Sequence, residues 1–282
     1  MTATVTRVPV TWLYVPGDRP ERFAKAAGSG ADVVIIDLED AVVPARKDEA
    51  RANAAAFLRE RTDREGVAVH VRVNDLATPR GLADVAELGG LPGLDAVRLP
   101  KVESAAGLGV LEGLRVPVHA LLESAAGVVA VAEIAAHPSV AGVALGEQDL
   151  VAELSISAES AMNQIRLDVV LAAAAAGLPP VPMSVYPDLR DEEGLIASCQ
   201  AGRGLGMFGR TAIHPRQLPA IRRAFTPTAE EAARAAEIVE AAEEAEKAGR
   251  GVVALPDGRF VDAPIVARAR RTVALADQLG AG

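Results

Sequence analysis

Asp32-Val33-Val34-Ile35-Ile36-Asp37 is an unbroken aliphatic run between two aspartates. A strand with one face in water would alternate apolar and polar residues, so a continuous run is typical of a strand covered on both faces, as in parallel sheets. Comparable runs recur along the whole chain. They are Thr11–Val15, Asp32–Asp37, Val67–Val73, Ala96–Leu99, Val118–Leu122, Val140–Leu145, Val181–Tyr186 and Gly204–Thr211.

Alanine-rich segments that favour helices separate many of these runs, as in Lys47–Arg61 and Ser157–Ala176. Eight strands alternating with helices predict an α/β fold, specifically a (β/α)8 TIM barrel. Such a barrel needs roughly 250 residues, and the chain has 282. A doubly wound open sheet is the alternative.

The end of the chain follows a different pattern. We expect a barrel domain over residues 1–225 and a C-terminal helical and hairpin extension over residues 226–282. The extension is predicted to contain a helix capped by Thr226 and ending near Ala248, a hairpin over Val252–Val261 that turns at Pro256-Asp257-Gly258, and a last helix from about Pro264 to Gln278.

The composition excludes several classes of function. A net charge of −9 argues against a nucleic-acid partner, which requires a concentrated basic face. The single cysteine, Cys199, and four dispersed histidines give no zinc-type spacing. No signal pattern and no apolar run of membrane-spanning length is visible. We therefore expect a cytoplasmic protein without a membrane partner.

Charged residues follow the second and third runs, where the active site of a barrel would lie. Asp37-Leu38-Glu39-Asp40 places three carboxylates at one strand end, which is costly without a neutralising cation; a solvated loop start is the alternative. Arg72 alternates with Val71 and Val73, so it projects to the face opposite theirs. It could clamp a substrate carboxylate, or form an ion pair with an acid on a neighbouring strand.

Two further acids follow the fifth and sixth runs. Glu123 and Asp149 are one strand–helix unit apart, so they are expected at adjacent strand ends. A divalent cation between two such carboxylates would remove their repulsion, and Mg²⁺ prefers these hard oxygen ligands. A shared proton or two unrelated surface acids are the alternatives. Lys101 and His214 also follow runs, but ordinary pairing or burial explains them better than catalysis.

Taken in order, these motifs resemble the citrate lyase β-subunit-like proteins, which include malyl-CoA and citramalyl-CoA lyases. The resemblance covers nearly the whole chain. The matching segments are Trp12–Arg22, Asp37–Val42, Arg72–Asn74, Leu99–Val102, Leu122–Ser124, Gly146–Leu150, Val185–Asp188 and Ala212–Pro215.

The resemblance implies a TIM-barrel lyase, assembled as a homotrimer or hexamer, that uses Mg²⁺ to cleave or condense a 3-hydroxyacyl-CoA. The products of cleavage are an acyl-CoA and a 2-oxo acid. The resemblance also implies that Glu123 and Asp149 hold the metal, that Arg72 binds the substrate carboxylate, and that Asp37 and Glu39 lie near the metal.

The same resemblance assigns roles to other segments. Substrate-binding candidates are Ala125, Tyr186, Pro187 and Arg210, with Arg210 able to pair with a phosphate of CoA. In the extension, Gly258–Pro264 is similar to an element that reaches over a neighbouring subunit's site. Asp262 would then be the acid–base residue, and the extension would be a lid.

Some positions depart from the family pattern, and they concern CoA binding. An Arg-Ser pair is common where this chain has Thr11 and Trp12, and a Gly-Lys pair is common near Arg210. Two alternatives therefore stay open: a metal-dependent pyruvate-type aldolase that works without CoA, and a citrate lyase β subunit that acts within a complex.

Overall fold

The computed structural model describes residues 8–61, 66–111, 113–247, 253–254 and 260–280. Two compact units are present, one of Val8–Ala224 and a second that begins at Phe225. Within the described residues, no helix is both long and apolar enough to cross a bilayer.

The first unit contains a parallel sheet of seven strands. They are β1 (Thr11–Pro16), β2 (Val33–Asp37), β3 (Ala68–Arg72), β4 (Ala96–Leu99), β5 (Val118–Leu122), β6 (Val140–Leu145) and β7 (Arg210–Ala212). The spatial order is β6-β5-β4-β3-β2-β1-β7, and every neighbouring pair is parallel. This curled parallel sheet is a TIM-barrel-like fold.

Helices follow most of the strands. Those of the first unit are α1 (Phe23–Ala27), α2 (Lys47–Glu60), α3 (Pro79–Leu88), α4 (Ala125–Val129), α5 (Val131–Ala135), α6 (Glu147–Leu154), α7 (Glu159–Ala175), α8 (Glu192–Gly204) and α9 (Gln217–Phe225). Side-chain caps fix several starts. Thr78 accepts a hydrogen bond from Gly81 N, and Ser124 accepts one from Gly127 N. These caps accept hydrogen bonds from backbone N–H groups of the first helical turn, which have no partner within the helix.

The expected eighth strand is replaced by an incomplete one. In the described residues, the run Val181–Tyr186 contributes a single parallel bridge, Met183 to Arg210. Pro182 has no N–H to donate, so the segment cannot form a regular hydrogen-bond ladder on the side away from β7. The run Gly204–Thr211 becomes a strand only at Arg210, because Gly206 (φ 89°) and Gly209 (φ 77°) adopt left-handed backbone.

A side chain connects the two ends of the sheet. Ser184, next to the bridging Met183, donates a 2.6 Å hydrogen bond from its Oγ to the carbonyl of Leu145, the last residue of β6. Met183 in turn pairs with β7 through Met183 N to Gly209 O and Thr211 N to Met183 O. This side-chain hydrogen bond links the segment beside β7 to the end of β6 at the opposite edge of the sheet.

The second unit contains two helices and a small antiparallel pair. They are α10 (Ala229–Lys247), β8 (Val253–Ala254), β9 (Phe260–Val261) and α11 (Ala263–Gly280), and α10 packs against α11. The cap of α10 is Thr228 rather than Thr226, because Thr228 and Glu231 bond each other's backbone N–H in a capping box. The predicted turn Pro256-Asp257-Gly258 lies outside the described residues.

Basic side chains occupy the interior of the barrel below its carboxyl end. Strand alternation places His70 on the same face as Arg72, and His119 on the same face as Glu123. The centroids of the two imidazole rings lie 4.9 Å apart, and His70 Nδ1 has no hydrogen-bond partner among the described residues. Burial lowers the pKa of His70 well below its ordinary value and lowers that of His119 to about 3, with Arg98 adding to both shifts.

These neutral histidines should make the fold sensitive to acid. A histidine whose folded pKa is depressed stabilises the fold above its unfolded pKa and loses that contribution as pH falls towards the folded value. Between pH 7.5 and 5, His119→Leu should gain about 2 kcal/mol of unfolding free energy relative to the wild type. The difference in unfolding free energy between the two proteins excludes the contribution of the other titratable groups, because both proteins contain them.

Urea unfolding of the two proteins across this pH range would measure the difference, and His70→Leu should change it in the same direction. Stability curves of wild type and His119→Leu that run parallel from pH 7.5 to 5 would show that His119 is not held neutral by burial.

Candidate active site

A cavity of about 390 Å³ opens at the carboxyl end of the strands. Its lining comes from the ends of β1 to β6, from the start of α6 and from the segment around Ser184. The charged residues of the lining are Asp37, Asp40, Arg72, Arg98, Glu123, Glu147 and Asp149. This is the end of a barrel at which active sites form.

Arg72 is the centre of an ion-pair cluster on one wall. Its Nε and Nη2 donate to the two carboxylate oxygens of Asp37 at 2.8 and 2.6 Å. Its Nη1 lies 2.9 Å from Glu39 Oε2 and 3.1 Å from Asp40 Oδ2. The guanidinium also lies over the ring of Tyr14, 4.9 Å from its centroid. Of the two roles predicted for Arg72, the ion pair with an acid on a neighbouring strand is therefore present.

Glu39 and Glu123 are buried carboxylates close to this cluster, 5% and 8% exposed. Burial raises the pKa of each to about 7; Asp40 and Asp37 add to the shift of Glu39, whereas Glu39 and Asp149 add to that of Glu123. Glu39 Oε2 makes no aligned hydrogen bond, although Arg72 is near. Burial and neighbouring acids thus disfavour the ionised form of both carboxyls.

The position of Glu123 is determined by its immediate neighbours. Its Oε2 accepts a hydrogen bond from the backbone N–H of Lys101 at 3.1 Å. Lys101 adopts left-handed backbone with φ 55°, which is uncommon for a lysine and orients that N–H. A side chain at Gly146 would approach Glu123 Cγ to 2.4 Å, so glycine is required there. Lys101 Nζ itself lies 3.6 Å from Glu39, the ordinary pairing expected for it.

Glu123 and Asp149 follow adjacent, hydrogen-bonded strands, as expected from their spacing. Leu122 of β5 pairs with Leu145 of β6, and Asp149 lies in the first turn of α6. Asp149 is exposed to the cavity, whereas Glu123 is buried. Its neighbour Glu147 is held in a two-point pair with Arg166 at 3.0 and 2.6 Å. Asp149 thus remains as the more accessible acid.

The carboxylate set fits a hard divalent cation. Within the described part of the chain, no three acidic, histidine or cysteine side chains converge into a complete coordination shell. Mg²⁺ does not require one, because it is usually held by one or two carboxylates together with water and substrate oxygens. Buried Glu123 with a raised pKa, accessible Asp149 and the unsatisfied oxygen of Glu39 match that donor chemistry.

The other substrate-binding candidates are not in the lining of this cavity as far as the structure describes it. Ala125 begins α4 and donates its N–H to Glu153 at 3.0 Å. Tyr186 donates its hydroxyl to Asp191 at 2.5 Å, and Pro187 is exposed beside it. Arg210 is the first residue of β7 and is buried, with its Nη2 2.9 Å from Ser198 Oγ of α8.

Asp262 begins the last helix of the second unit. It is exposed, and its Oδ1 accepts a 3.2 Å hydrogen bond from Ile265 N. This contact is an ordinary helix N-cap.

Sequence reasoning missed three residues of the interior: Tyr14, Arg98 and Glu147. Arg98 alternates with Val97 and Leu99, so the argument applied to Arg72 would also have identified it. Tyr14 shares a strand face with Trp12, which forms an interior cluster with Val33 and Ile35.

Comparison with known proteins adds an independent result. Residues 11–215 match the profile of the HpcH/HpaI aldolase/citrate lyase family. A protein of Cereibacter sphaeroides named (3S)-malyl-CoA thioesterase is 39% identical over 273 residues, which cover 95% of each chain.

Two solved structures from Mycobacterium tuberculosis are also similar. CitE in complex with magnesium, acetoacetate and coenzyme A has a TM-score of 0.81 and 35% identity, covering 96% of this chain and 98% of that one. A citrate lyase β subunit complexed with oxaloacetate and magnesium has a TM-score of 0.68 and 38% identity, covering 78% and 98%. The chain therefore belongs to the HpcH/HpaI aldolase/citrate lyase family.

Proposed function

We propose that the protein is a Mg²⁺-dependent carbon–carbon lyase that cleaves, or forms by condensation, a 3-hydroxyacyl-CoA such as malyl-CoA or citramalyl-CoA. The observation that carries the proposal is the pair of acids in the cavity lining, Glu123 and Asp149, which follow adjacent strands and lie near the Arg72 guanidinium. Relatives with magnesium and coenzyme A or oxaloacetate in their structures support it.

In this proposal Glu123 and Asp149 hold the metal, with Asp37 and Glu39 close by. When bound, Mg²⁺ would lower the pKa of the substrate's 3-hydroxyl and stabilise the negative charge that its oxygen carries before the bond breaks. Arg72, held in place by Asp37, orients the substrate carboxylate through Nη1 once Glu39 and Asp40 give way. Orientation of this kind aligns the bond that breaks.

The 3-hydroxyl must lose a proton and the enolate of the departing acyl-CoA must gain one, and we assign this acid–base role to Asp262 of a neighbouring subunit. The C-terminal extension would act as a lid in a homotrimer or hexamer built on closed (β/α)8 barrels. The exposure of Asp262 at the start of α11 supports this assignment. Arg210 would require a rearrangement to reach a CoA phosphate, because it is buried against Ser198.

Subunit mixing tests the role of Asp262. Asp262→Asn and Glu123→Gln should each be inactive alone, and co-assembled oligomers should regain part of the activity, since some sites then combine an intact barrel with an intact tail. Asp277→Asn, which changes another acid of α11, is the matched control and should be fully active. If mixed oligomers stay inactive, Asp262 does not act across a subunit interface.

Product analysis tests the reaction itself. Malyl-CoA, citramalyl-CoA and citryl-CoA are incubated with the protein, with and without EDTA, and 2-oxo acid, acyl-CoA and free CoA thiol are quantified. A lyase releases 2-oxo acid and acyl-CoA in equal amounts and stops when EDTA is added. Cleavage that continues unchanged in EDTA would contradict the proposal.

A second candidate is a malyl-CoA thioesterase, favoured by the 39% identical relative of that name. It would release free thiol and an intact hydroxy acid, which the same product analysis separates from lyase products.

If the protein is instead an aldolase that works without CoA, CoA should leave its melting temperature unchanged, because only a ligand that binds the native state stabilises it. A β subunit of a complex predicts co-purification with partner chains and no activity alone.

A further inference from the structure

Lys47, the first residue of α2, joins the segments that follow β2 and β3. Its Nζ donates to the carbonyl oxygens of Leu38 and Glu39 at 3.1 and 2.9 Å and to Asn74 Oδ1 at 2.5 Å. An ammonium has three donors and no acceptor, so these three oxygens use all of its hydrogen-bonding capacity. Burial lowers the pKa of Lys47, and the charge of Glu39 opposes that shift. Lys47 therefore links α2 to two strand ends at the edge where the cavity opens.

Asn74 is itself held in place by the helices outside the sheet. It is 5% exposed, and its backbone N–H and Nδ2 donate to Asp84 Oδ2 at 2.9 and 2.6 Å. Asp84 is fully buried on α3, and its Oδ1 lies 3.1 Å from Arg51 Nη1 of α2. Because Nδ2 is used on Asp84, the amide presents its Oδ1 to Lys47. The ammonium is thus anchored to a hydrogen-bond network that includes two helices.

The backbone of Glu39 is held at both of its polar groups. Its N–H donates to Asp37 Oδ1 at 2.9 Å, and its carbonyl accepts from Lys47 Nζ at 2.9 Å. The side chain that this backbone carries is buried, with Oε2 2.9 Å from Arg72 Nη1. The position of this carboxylate matters for Glu123, because the charge of Glu39 raises the pKa of Glu123.

We propose that Lys47 is a positioning residue for the metal site: by binding the carbonyls of Leu38 and Glu39, it holds the Glu39 carboxylate beside Glu123, where the two acids together attract the cation. This inference rests on the proposed Mg²⁺-dependent lyase function and adds to it a residue that would touch neither metal nor substrate. Removing a side chain that orients the groups around a metal typically lowers metal affinity or activity by about 10- to 100-fold.

Calorimetric titration with Mg²⁺ alone tests the role of Lys47. Lys47→Met removes the three donors at similar side-chain length, so Mg²⁺ should bind roughly 10-fold more weakly than it binds to the wild type. Glu39→Gln supplies the second half of the experiment. If Lys47 acts through Glu39, adding Lys47→Met to Glu39→Gln should weaken Mg²⁺ binding by less than about 2-fold, because the effects of coupled residues are not additive.

Two control variants separate positioning from a general loss of stability. Arg61→Met removes an 8% exposed side chain that donates to Val67 O and Asp95 Oδ2, just before β3 and β4. It should lower the melting temperature, as Lys47→Met does, but leave Mg²⁺ affinity unchanged, because it acts at the amino ends of the strands. Arg59→Met removes an exposed positive charge from α2 and should match the wild type in both measurements.

A conservative variant tests whether the geometry of the donors matters. Lys47→Arg keeps the charge but places its donors in a rigid planar fork, which cannot meet the same three oxygens in the same directions. Its Mg²⁺ affinity should therefore lie between those of the wild type and Lys47→Met. Combined with Glu39→Gln, Lys47→Arg carries the test if Lys47→Met does not fold.

Wild-type Mg²⁺ affinity in Lys47→Met, with a lowered melting temperature like that of Arg61→Met, would overturn the positioning role and leave a structural one. A loss of full size in the Glu39→Gln background would overturn the action through Glu39. In both cases the wild type still binds Mg²⁺ and releases 2-oxo acid, so the lyase proposal stands. A wild type that binds no Mg²⁺ would overturn the lyase proposal and the positioning role together.

Discussion

Glu123→Gln should lower the rate of Mg²⁺-dependent turnover by ~10³-fold or more while the protein stays folded, since a bound cation supplies several kcal/mol of charge stabilisation. Glutamine has the same shape but is a weaker metal ligand. The hydrogen bond from Lys101 N, at 3.1 Å, can be retained by the amide oxygen. Activity assays measure the loss of turnover, and calorimetric titration measures the loss of Mg²⁺ affinity.

The stability of the metal-free protein gives a second readout for the same variant. The pKa of Glu123 is raised to about 7 in the folded protein, from an ordinary value of 4.5. As pH rises from the ordinary value to the raised one, the unfolded chain loses this proton more readily than the folded chain, so the fold is destabilised. Glu123→Gln lacks that penalty, so at pH 8 it should melt at or above the wild-type temperature. The rise in melting temperature that Mg²⁺ produces should disappear.

Glu133→Gln, an exposed change on α5, is the matched control and should behave as the wild type. A Glu123→Gln protein that still binds Mg²⁺ with wild-type affinity would remove Glu123 from the metal site. A large loss of stability in the absence of metal would indicate a structural role instead.

Arg72→Met should have the largest effect on stability. Arg72 neutralises Asp37 through two hydrogen bonds of 2.8 and 2.6 Å and lies within 2.9 Å of Glu39. Removing one partner of a buried ion pair leaves uncompensated charge and costs about 3–5 kcal/mol. Because the remaining acids attract cations, saturating Mg²⁺ should restore part of this loss, whereas activity should not return.

Arg72→Lys separates charge from geometry. It should recover much of the stability yet remain at least ~100-fold less active, because lysine cannot supply a planar two-point contact. Arg115→Met, at an exposed arginine, is the control for losing a positive charge. Urea unfolding and steady-state kinetics measure both effects. If Arg72→Met unfolds at the wild-type urea concentration, the ion-pair cluster does not contribute to stability.

Strand positions were predictable where the chain is uniformly aliphatic. The run Asp32–Asp37 became β2, Val33–Asp37, because all five residues are buried and each can donate and accept in a ladder. The seventh and eighth runs did not form the full strands predicted for them, for local reasons. Pro182 interrupts one ladder, and the left-handed glycines Gly206 and Gly209 delay the other strand to Arg210.

The site was predictable to the level of strand ends and no further. Spacing correctly placed Glu123 and Asp149 beside adjacent strands, because side-by-side parallel strands end at the same edge. It could not show which partner Arg72 selects, since an acid of the protein and an acid of the substrate satisfy a guanidinium equally well. The left-handed Lys101 that orients Glu123 leaves no sequence signal, because lysine rarely adopts that backbone.

The hydrogen bond from Ser184 to Leu145 has a consequence for the motion of the two sheet edges. Both residues line the cavity, so a substrate bound there would contact the barrel wall on each side of this junction. A ligand that contacts both residues would stabilise the state in which this hydrogen bond is formed relative to one in which it is broken. Amide hydrogen exchange along β6 should then become slower when substrate occupies the cavity.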